Sequence, residues 1–126
     1  MVISGLWFLA PGEALALLQE GALLVDLRSE ELAAMKAFAV PERIHLPHRA
    51  LPGRVEELPR GRLLVLADSS GVYLRGAAAL LRSAGFDRLA LLNGGMLAWD
   101  QADLPVLTDA GALLHGDCAC VMRSRK

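Results

Sequence analysis

Short runs of consecutive apolar residues, separated by helix-forming segments, constrain the fold of this chain more than any other feature. The clearest runs are Leu23–Val25, Leu63–Ala67 and Leu89–Leu92. The strands of a parallel sheet are covered on both faces, so they appear in sequence as continuous apolar stretches rather than alternating ones. Their alternation with helices predicts a three-layer α/β/α domain with a central, mostly parallel sheet.

Turn and capping residues place the helices between these strands. A first helix is expected from Pro11 to about Glu20, and Ser29 is expected to cap a short second helix. A longer helix follows residues 68–71 and is expected to run to about Ala84, with a last short helix ending at Trp99.

Residues 41–62 contain four prolines and are expected to be irregular. They leave room for a short strand at Arg43–Leu46 and a short helix near Val55–Leu58.

Composition limits the classes of function that remain. The chain has 126 residues, of which 54% are hydrophobic, and its net charge is −1. It carries no basic stripe that would indicate binding to nucleic acid, and no apolar run long enough to cross a membrane. The N-terminus lacks the basic segment of a signal peptide, which predicts a cytoplasmic protein. Residues 1–106 are expected to form a single domain, and residues 107–126 a mobile C-terminal extension.

The segment after the strand at Leu63–Ala67 is the strongest candidate for a functional loop. Asp68-Ser69-Ser70-Gly71 lies between that strand and the start of a helix. Backbone N–H groups of such a loop, together with the positive end of the helix dipole, form a cradle for an anion. The alternative is an ordinary turn between a strand and a helix. The lysine of a nucleotide-binding P-loop is absent.

Three motifs resemble the rhodanese (sulfurtransferase) family over about residues 12–106. Leu24-Val25-Asp26-Leu27-Arg28 is similar to the family's l-D-x-R segment, and Asp68-Ser69-Ser70-Gly71-Val72-Tyr73 to its C-x-x-G-x-R/Y active loop. The third motif is a glycine-rich ending, matched by Gly85-Phe86, Leu92-Asn93-Gly94-Gly95, Ala98-Trp99 and Leu104-Pro105-Val106. The order and spacing of the motifs make the resemblance specific, and it implies a rhodanese-like α/β fold.

The resemblance also implies that Asp68 stands where the family keeps its catalytic cysteine, whose thiolate accepts sulfane sulfur as a persulfide. A carboxylate cannot form a persulfide. Tyr73 stands where the family often has an arginine, and Arg75 lies two helical positions later, about 200° around the helix. The stretch Phe38–Arg43 lacks the glycine and histidine that the family has there. Asp26 and Arg28 are expected to support the site as a structural ion pair.

Histidines and cysteines elsewhere offer weaker candidates. His45 and His48 lack a third ligand in register, so a role in a surface loop is favoured over metal binding. His115, Cys118 and Cys120 fit no standard zinc spacing, and the two cysteines are interpreted as free thiols. No metal and no cofactor are expected.

Two hypotheses of different classes follow. The favoured one is an inactive rhodanese-like module that binds or regulates a partner protein through the loop around Asp68. The rival is a sulfurtransferase or sulfur-relay protein in which Cys118 or Cys120 carries the persulfide. A phosphatase is discounted, because that class needs a cysteine, a longer loop and an arginine where Leu74 stands.

Overall fold

The computed structural model describes residues 2–3, 5–108 and 122–123. The strands of this part are β1 (Val2–Ile3), β2 (Leu6–Leu9), β3 (Leu23–Asp26), β4 (Lys36–Phe38), β5 (Arg43–His45), β6 (Leu64–Ala67), β7 (Leu89–Leu92), β8 (Val106–Thr108) and β9 (Met122–Arg123). The helices are α1 (Pro11–Gln19), α2 (Glu30–Met35), α3 (Leu51–Arg54), α4 (Leu74–Ser83) and α5 (Gly95–Gln101), with a 3₁₀ turn at Val55–Glu57.

The main sheet has six strands in the order β1-β2-β7-β6-β3-β5. β2, β7, β6, β3 and β5 are parallel to one another, and β1 pairs antiparallel with β2. Parallel strands end at the same edge of a sheet, so the loops after β7, β6, β3 and β5 come together there. This edge carries the candidate site.

Each face of the main sheet is covered by its own apolar core. Alternate residues of the central strands point to opposite faces, so Leu66 of β6 joins one core and Val65 the other. The first core is closed by α3 and α4, including Leu51 and Leu81, and the second by α1 and α5, including Leu18 and Trp99. The three-layer α/β/α fold with a mostly parallel sheet is therefore confirmed.

A smaller antiparallel sheet, in the order β4-β8-β9, flanks the second core. Phe38 of β4 meets Trp99 edge to face, with ring centroids 5.2 Å apart. Trp99 also donates an indole hydrogen bond to the Pro105 carbonyl oxygen at 2.9 Å. Because β8 spans residues 106–108, the chain continues in a strand past position 106.

The helices expected from the capping residues are present, and the Ser29 hydroxyl accepts a hydrogen bond from the Leu32 N–H at 3.3 Å. The sequence analysis missed β1, β4, β8 and β9, which are only two or three residues long. It also missed β2, although Leu6–Leu9 is a continuous apolar run like those of the predicted strands. The helix expected near Val55–Leu58 begins earlier, at Leu51, whose N–H bonds the Pro47 carbonyl oxygen at 3.1 Å. No helix in the described ranges is long and apolar enough to span a membrane.

Candidate functional site

The site is assembled from loops that follow four neighbouring parallel strands. Residues 27–29 follow β3, residues 47–49 follow β5, residues 68–73 follow β6 and residues 94–95 follow β7. Open α/β sheets bind ligands in the crevice outside the carboxyl ends of their strands, which is where these loops meet.

Asp68 is the centre of this arrangement. Its side chain is fully buried at the end of β6, and Oδ1 accepts a hydrogen bond from the Gly71 N–H at 2.5 Å. Oδ2 accepts one from the Tyr73 N–H at 2.8 Å. A buried carboxylate is tolerated where backbone donors satisfy it. The anion cradle of the loop thus holds the protein's own carboxylate.

The start of α5 holds the same loop from the other side. The Met96 N–H donates to the Asp68 carbonyl oxygen at 2.7 Å, and the Leu97 N–H donates to that of Ser69 at 2.9 Å. Gly95, between these segments and β7, has a φ of +61°. A methyl group there would overlap the Asp68 carbonyl oxygen and lie 2.8 Å from its Oδ1. Only glycine allows this close approach without displacing the loop.

Asp26 and Arg28 form a buried, two-pronged ion pair at the end of β3. The distances are 2.8 Å from Nη2 to Oδ2 and 2.9 Å from Nε to Oδ1. The Arg28 guanidinium also lies 5.1 Å from the Phe38 ring centroid, and His45 Nε2 lies 2.8 Å from the Arg28 carbonyl oxygen. The pair links β3, β4 and β5 beneath the site, and the supporting role expected of it stays a prediction.

A cavity of about 370 Å³ opens above the Asp68 loop. It is lined by Leu27, Arg28, Ser29, Leu32, Pro47, His48, Arg49, Asp68, Ser69 and Tyr73. The imidazole of His48 stacks on the phenol of Tyr73, with ring centroids 3.7 Å apart and an interplanar angle of 14°. His48 is therefore part of the site wall, more than the surface-loop residue that the sequence analysis favoured.

Arg75 points away from the cavity. Its guanidinium carbon lies 5.2 Å from the centroid of the Phe8 ring, so it does not close over the loop.

Among the described residues, no group of three or more His, Cys, Asp or Glu side chains is placed to hold a metal ion. His115, Cys118 and Cys120 lie outside the described residues.

The sequence analysis missed the parts that His48, Arg49 and Gly95 play in the site. The position of each residue in the chain could have indicated this part, because each follows a parallel strand that ends at the edge of the sheet carrying Asp68. Reading that signal required the strand order, which local patterns do not supply.

A parallel α/β sheet with a backbone N–H cradle between β6 and α4 agrees with the class of protein that the sequence motifs resemble, the rhodanese-like modules. The model of the rhodanese-like domain family matches residues 10–102, and the chain belongs to this family.

Relatives in sequence are sulfurtransferases. A protein named sulfurtransferase from Allochromatium vinosum is 34% identical over 92 residues, covering 73% of this chain and 84% of the relative. The thiosulfate sulfurtransferase GlpE of Pseudomonas syringae pv. syringae is 30% identical over 89 residues, covering 71% and 82%. If this chain is catalytic, its activity is therefore of the rhodanese sulfurtransferase type.

Solved structures share the fold. A rhodanese-like domain protein from Staphylococcus aureus matches with a TM-score of 0.67 at 23% identity, covering 75% of this chain and 91% of that one. A rhodanese-related protein from Thermoplasma volcanium matches with a TM-score of 0.72 at 18% identity, covering 80% and 97%.

Proposed function

We propose that this chain is a catalytically inactive rhodanese-like module that binds a partner protein through the surface around Asp68. One observation carries the proposal. Both oxygens of the buried Asp68 carboxylate accept backbone N–H bonds within the loop, from Gly71 and Tyr73. Two of the loop donors that would stabilise a bound or transferred anion are therefore already used.

Two chemical reasons support inactivity. Sulfur transfer of the rhodanese type needs a nucleophile that accepts sulfane sulfur, and Asp68, which by resemblance stands at the nucleophile position, offers only a carboxylate. In addition, an anion such as thiosulfate placed ~4 Å from that carboxylate would be repelled by about 1 to 4 kcal/mol, depending on the effective dielectric constant.

The loop nevertheless keeps an open cavity beside it, lined by residues from three strand ends. Its walls combine the apolar side chains of Leu27, Leu32 and Pro47 with polar and charged groups that could orient a bound segment. Because the site lacks a nucleophile for sulfur transfer but keeps a cavity, binding of a partner protein is favoured as its remaining function.

The direct test is an assay of thiosulfate:cyanide sulfur transfer on the purified chain. The GlpE relative from Pseudomonas syringae pv. syringae is a suitable positive control, since its name states this activity. We expect no turnover above background. Turnover in the usual enzyme range of ~1 to 10³ per second would contradict the proposal. If Cys118→Ser with Cys120→Ser abolished it, the sulfur-relay hypothesis would replace ours.

A second measurement tests the observation itself. Sulfate and thiosulfate should not raise the melting temperature of the native chain specifically, because Asp68 occupies the cradle. They should stabilise Asp68→Ala and Asp68→Asn, by about 2.7 kcal/mol when the anion is at a hundredfold excess over its Kd. Equal stabilisation of all three proteins would show that the carboxylate does not block the cradle.

A further inference from the structure

Two adjacent cavities, separated by one pair of stacked rings, lie beside the Asp68 loop. The first, of about 370 Å³, lies over the loop, and the second, of about 280 Å³, lies between α3 and α4. His48 and Tyr73 line both, so their stacked rings form the ridge between them. We call the two cavities and this ridge the ring-divided groove.

The second cavity is apolar apart from the ridge. It is lined by Leu51, Pro52, Val72, Gly76, Ala77 and Leu80, with His48 and Tyr73. Such a lining holds an apolar side chain and offers nothing to bind a charge.

The first cavity has one cationic group without a partner. Arg28 is paired with Asp26, and the buried Asp68 carboxylate keeps its charge but is held inside its own loop by two backbone N–H groups. Arg49 is exposed and makes no ion pair or side-chain hydrogen bond with any residue that the structure describes. A free guanidinium at the rim of a cavity attracts a carboxylate and repels a cation.

Apart from Asp68, whose buried carboxylate is held by its own loop, no acidic residue in the described part of the chain lines the two cavities. Glu30 and Glu31 belong to α2, but neither lines either cavity. Glu57 is held by Arg54, whose Nε lies 2.8 Å from Glu57 Oε2.

Large apolar side chains remain exposed around the groove. Val72 is 73% exposed, Tyr73 47% and Leu32 45%. Exposed apolar side chains grouped around cavities mark a surface that another protein covers, since a small molecule inside one cavity would leave the rim in water.

From this geometry we propose that the ring-divided groove docks a linear segment of a partner protein in which an acidic residue adjoins two large apolar residues. One apolar side chain enters each cavity across the ridge, and the carboxylate pairs with Arg49. The inference rests on the proposed function in treating this face as the binding surface, and it names the chemistry of the partner.

The test is selection of a random eight-residue peptide library displayed on phage against the native chain. We expect enrichment of peptides with an aspartate or glutamate next to two large apolar residues. The enriched peptide, labelled with fluorescein, is then titrated by fluorescence anisotropy against Arg49→Glu and Val72→Ser. Each substitution should weaken its binding at least tenfold.

Arg82→Glu is the matched control. Arg82 is also an exposed arginine, but it lies in the last turn of α4, at the opposite edge of the sheet, and its substitution changes the net charge equally. We expect unchanged affinity in this variant. Circular dichroism establishes that each variant is folded, and Arg49→Gln serves if the charge reversal disturbs folding.

Failure to enrich any peptide, enrichment of basic peptides, or equal binding by Arg49→Glu and Arg82→Glu would each overturn the inference. None of these results bears on sulfur transfer, which is measured separately. Conversely, turnover with thiosulfate would overturn the inactive module without changing the outcome of the peptide titration.

Discussion

At the scale of single residues, Asp68 decides what this site can do. The loop keeps its backbone donors, since Gly71 and Tyr73 both present N–H groups to the side chain at the end of β6. The same donors that satisfy a carboxylate would stabilise a thiolate, because both are anions. The side chain at position 68 therefore decides whether the cradle holds an unreactive carboxylate or a reactive thiolate.

This argument predicts the behaviour of Asp68→Cys, made in a Cys118→Ser, Cys120→Ser background. The new thiol should have a pKa below the ordinary value of about 8.5, because the loop N–H groups and the start of α4 favour the thiolate. It should react with iodoacetamide at pH 6 to 7 faster than a free cysteine and take up sulfur from thiosulfate, as measured by mass spectrometry.

Ser70→Cys in the same background is the control, since Ser70 belongs to the same loop but is exposed. We expect its thiol to titrate near 8.5. If the thiol of Asp68→Cys titrates there too and gains no sulfur, the resemblance to active rhodaneses extends to the fold and not to the site.

At the scale of elements, the loop after β6 depends on α5. Backbone N–H groups at the start of this helix bind the carbonyl oxygens of Asp68 and Ser69, at 2.7 and 2.9 Å. The hydrogen bonds form only because Gly95 has no side chain and adopts a positive φ. The Asp68 loop is therefore held by a helix that begins 27 positions later in the sequence.

Gly95→Ala should consequently destabilise the protein and disturb the loop. The added methyl group would overlap the Asp68 backbone in a conformation that alanine rarely adopts. We expect the free energy of unfolding, measured in urea, to fall by about 1 to 3 kcal/mol.

Gly76→Ala provides the comparison. Gly76 lies inside α4, and a Cβ there would meet nothing within 4 Å. Alanine is favoured over glycine in a helix interior, so this variant should be more stable by about 0.5 to 1 kcal/mol. Equal effects of the two substitutions would mean that α5 does not press on the Asp68 loop.

At the scale of the whole molecule, the main sheet joins two cores into one cooperative unit. Leu81 of α4 is fully buried in one core, and Leu18 of α1 is 1% exposed in the other. Since each central strand contributes side chains to both faces, neither core can open without the other.

Leu18→Ala and Leu81→Ala test this coupling with one chemical change on opposite faces. Each should lower the free energy of unfolding by about 2 to 5 kcal/mol. Far-ultraviolet circular dichroism and tryptophan fluorescence should still report a single, coincident transition.

Leu97→Ala, at a leucine that is 56% exposed, should change the stability by no more than about 0.5 kcal/mol. Separate transitions by the two probes in either core variant would show that the faces unfold independently.

The sequence by itself determined the elements with strong local patterns. Leu23–Val25, Leu63–Ala67 and Leu89–Leu92 were predicted as buried strands within a residue or so of their ends, since continuous apolar runs bounded by turns have few other solutions. The position of Asp68, between a strand and the start of a helix, was determined in the same way. These features depend on neighbours in sequence.

Only the tertiary structure decided which distant residues meet. β4, only three residues long, is defined by its pairing with β8, far along the chain, because strand pairing is a contact between segments and leaves a weak trace in so short a stretch. His48 reaches Tyr73 for the same reason, since their loops follow strands on either side of β3. The periodicity of a segment indicates which of its faces is buried. The order of the strands brings the walls of the site into contact, and that order depends on the packing of all segments together.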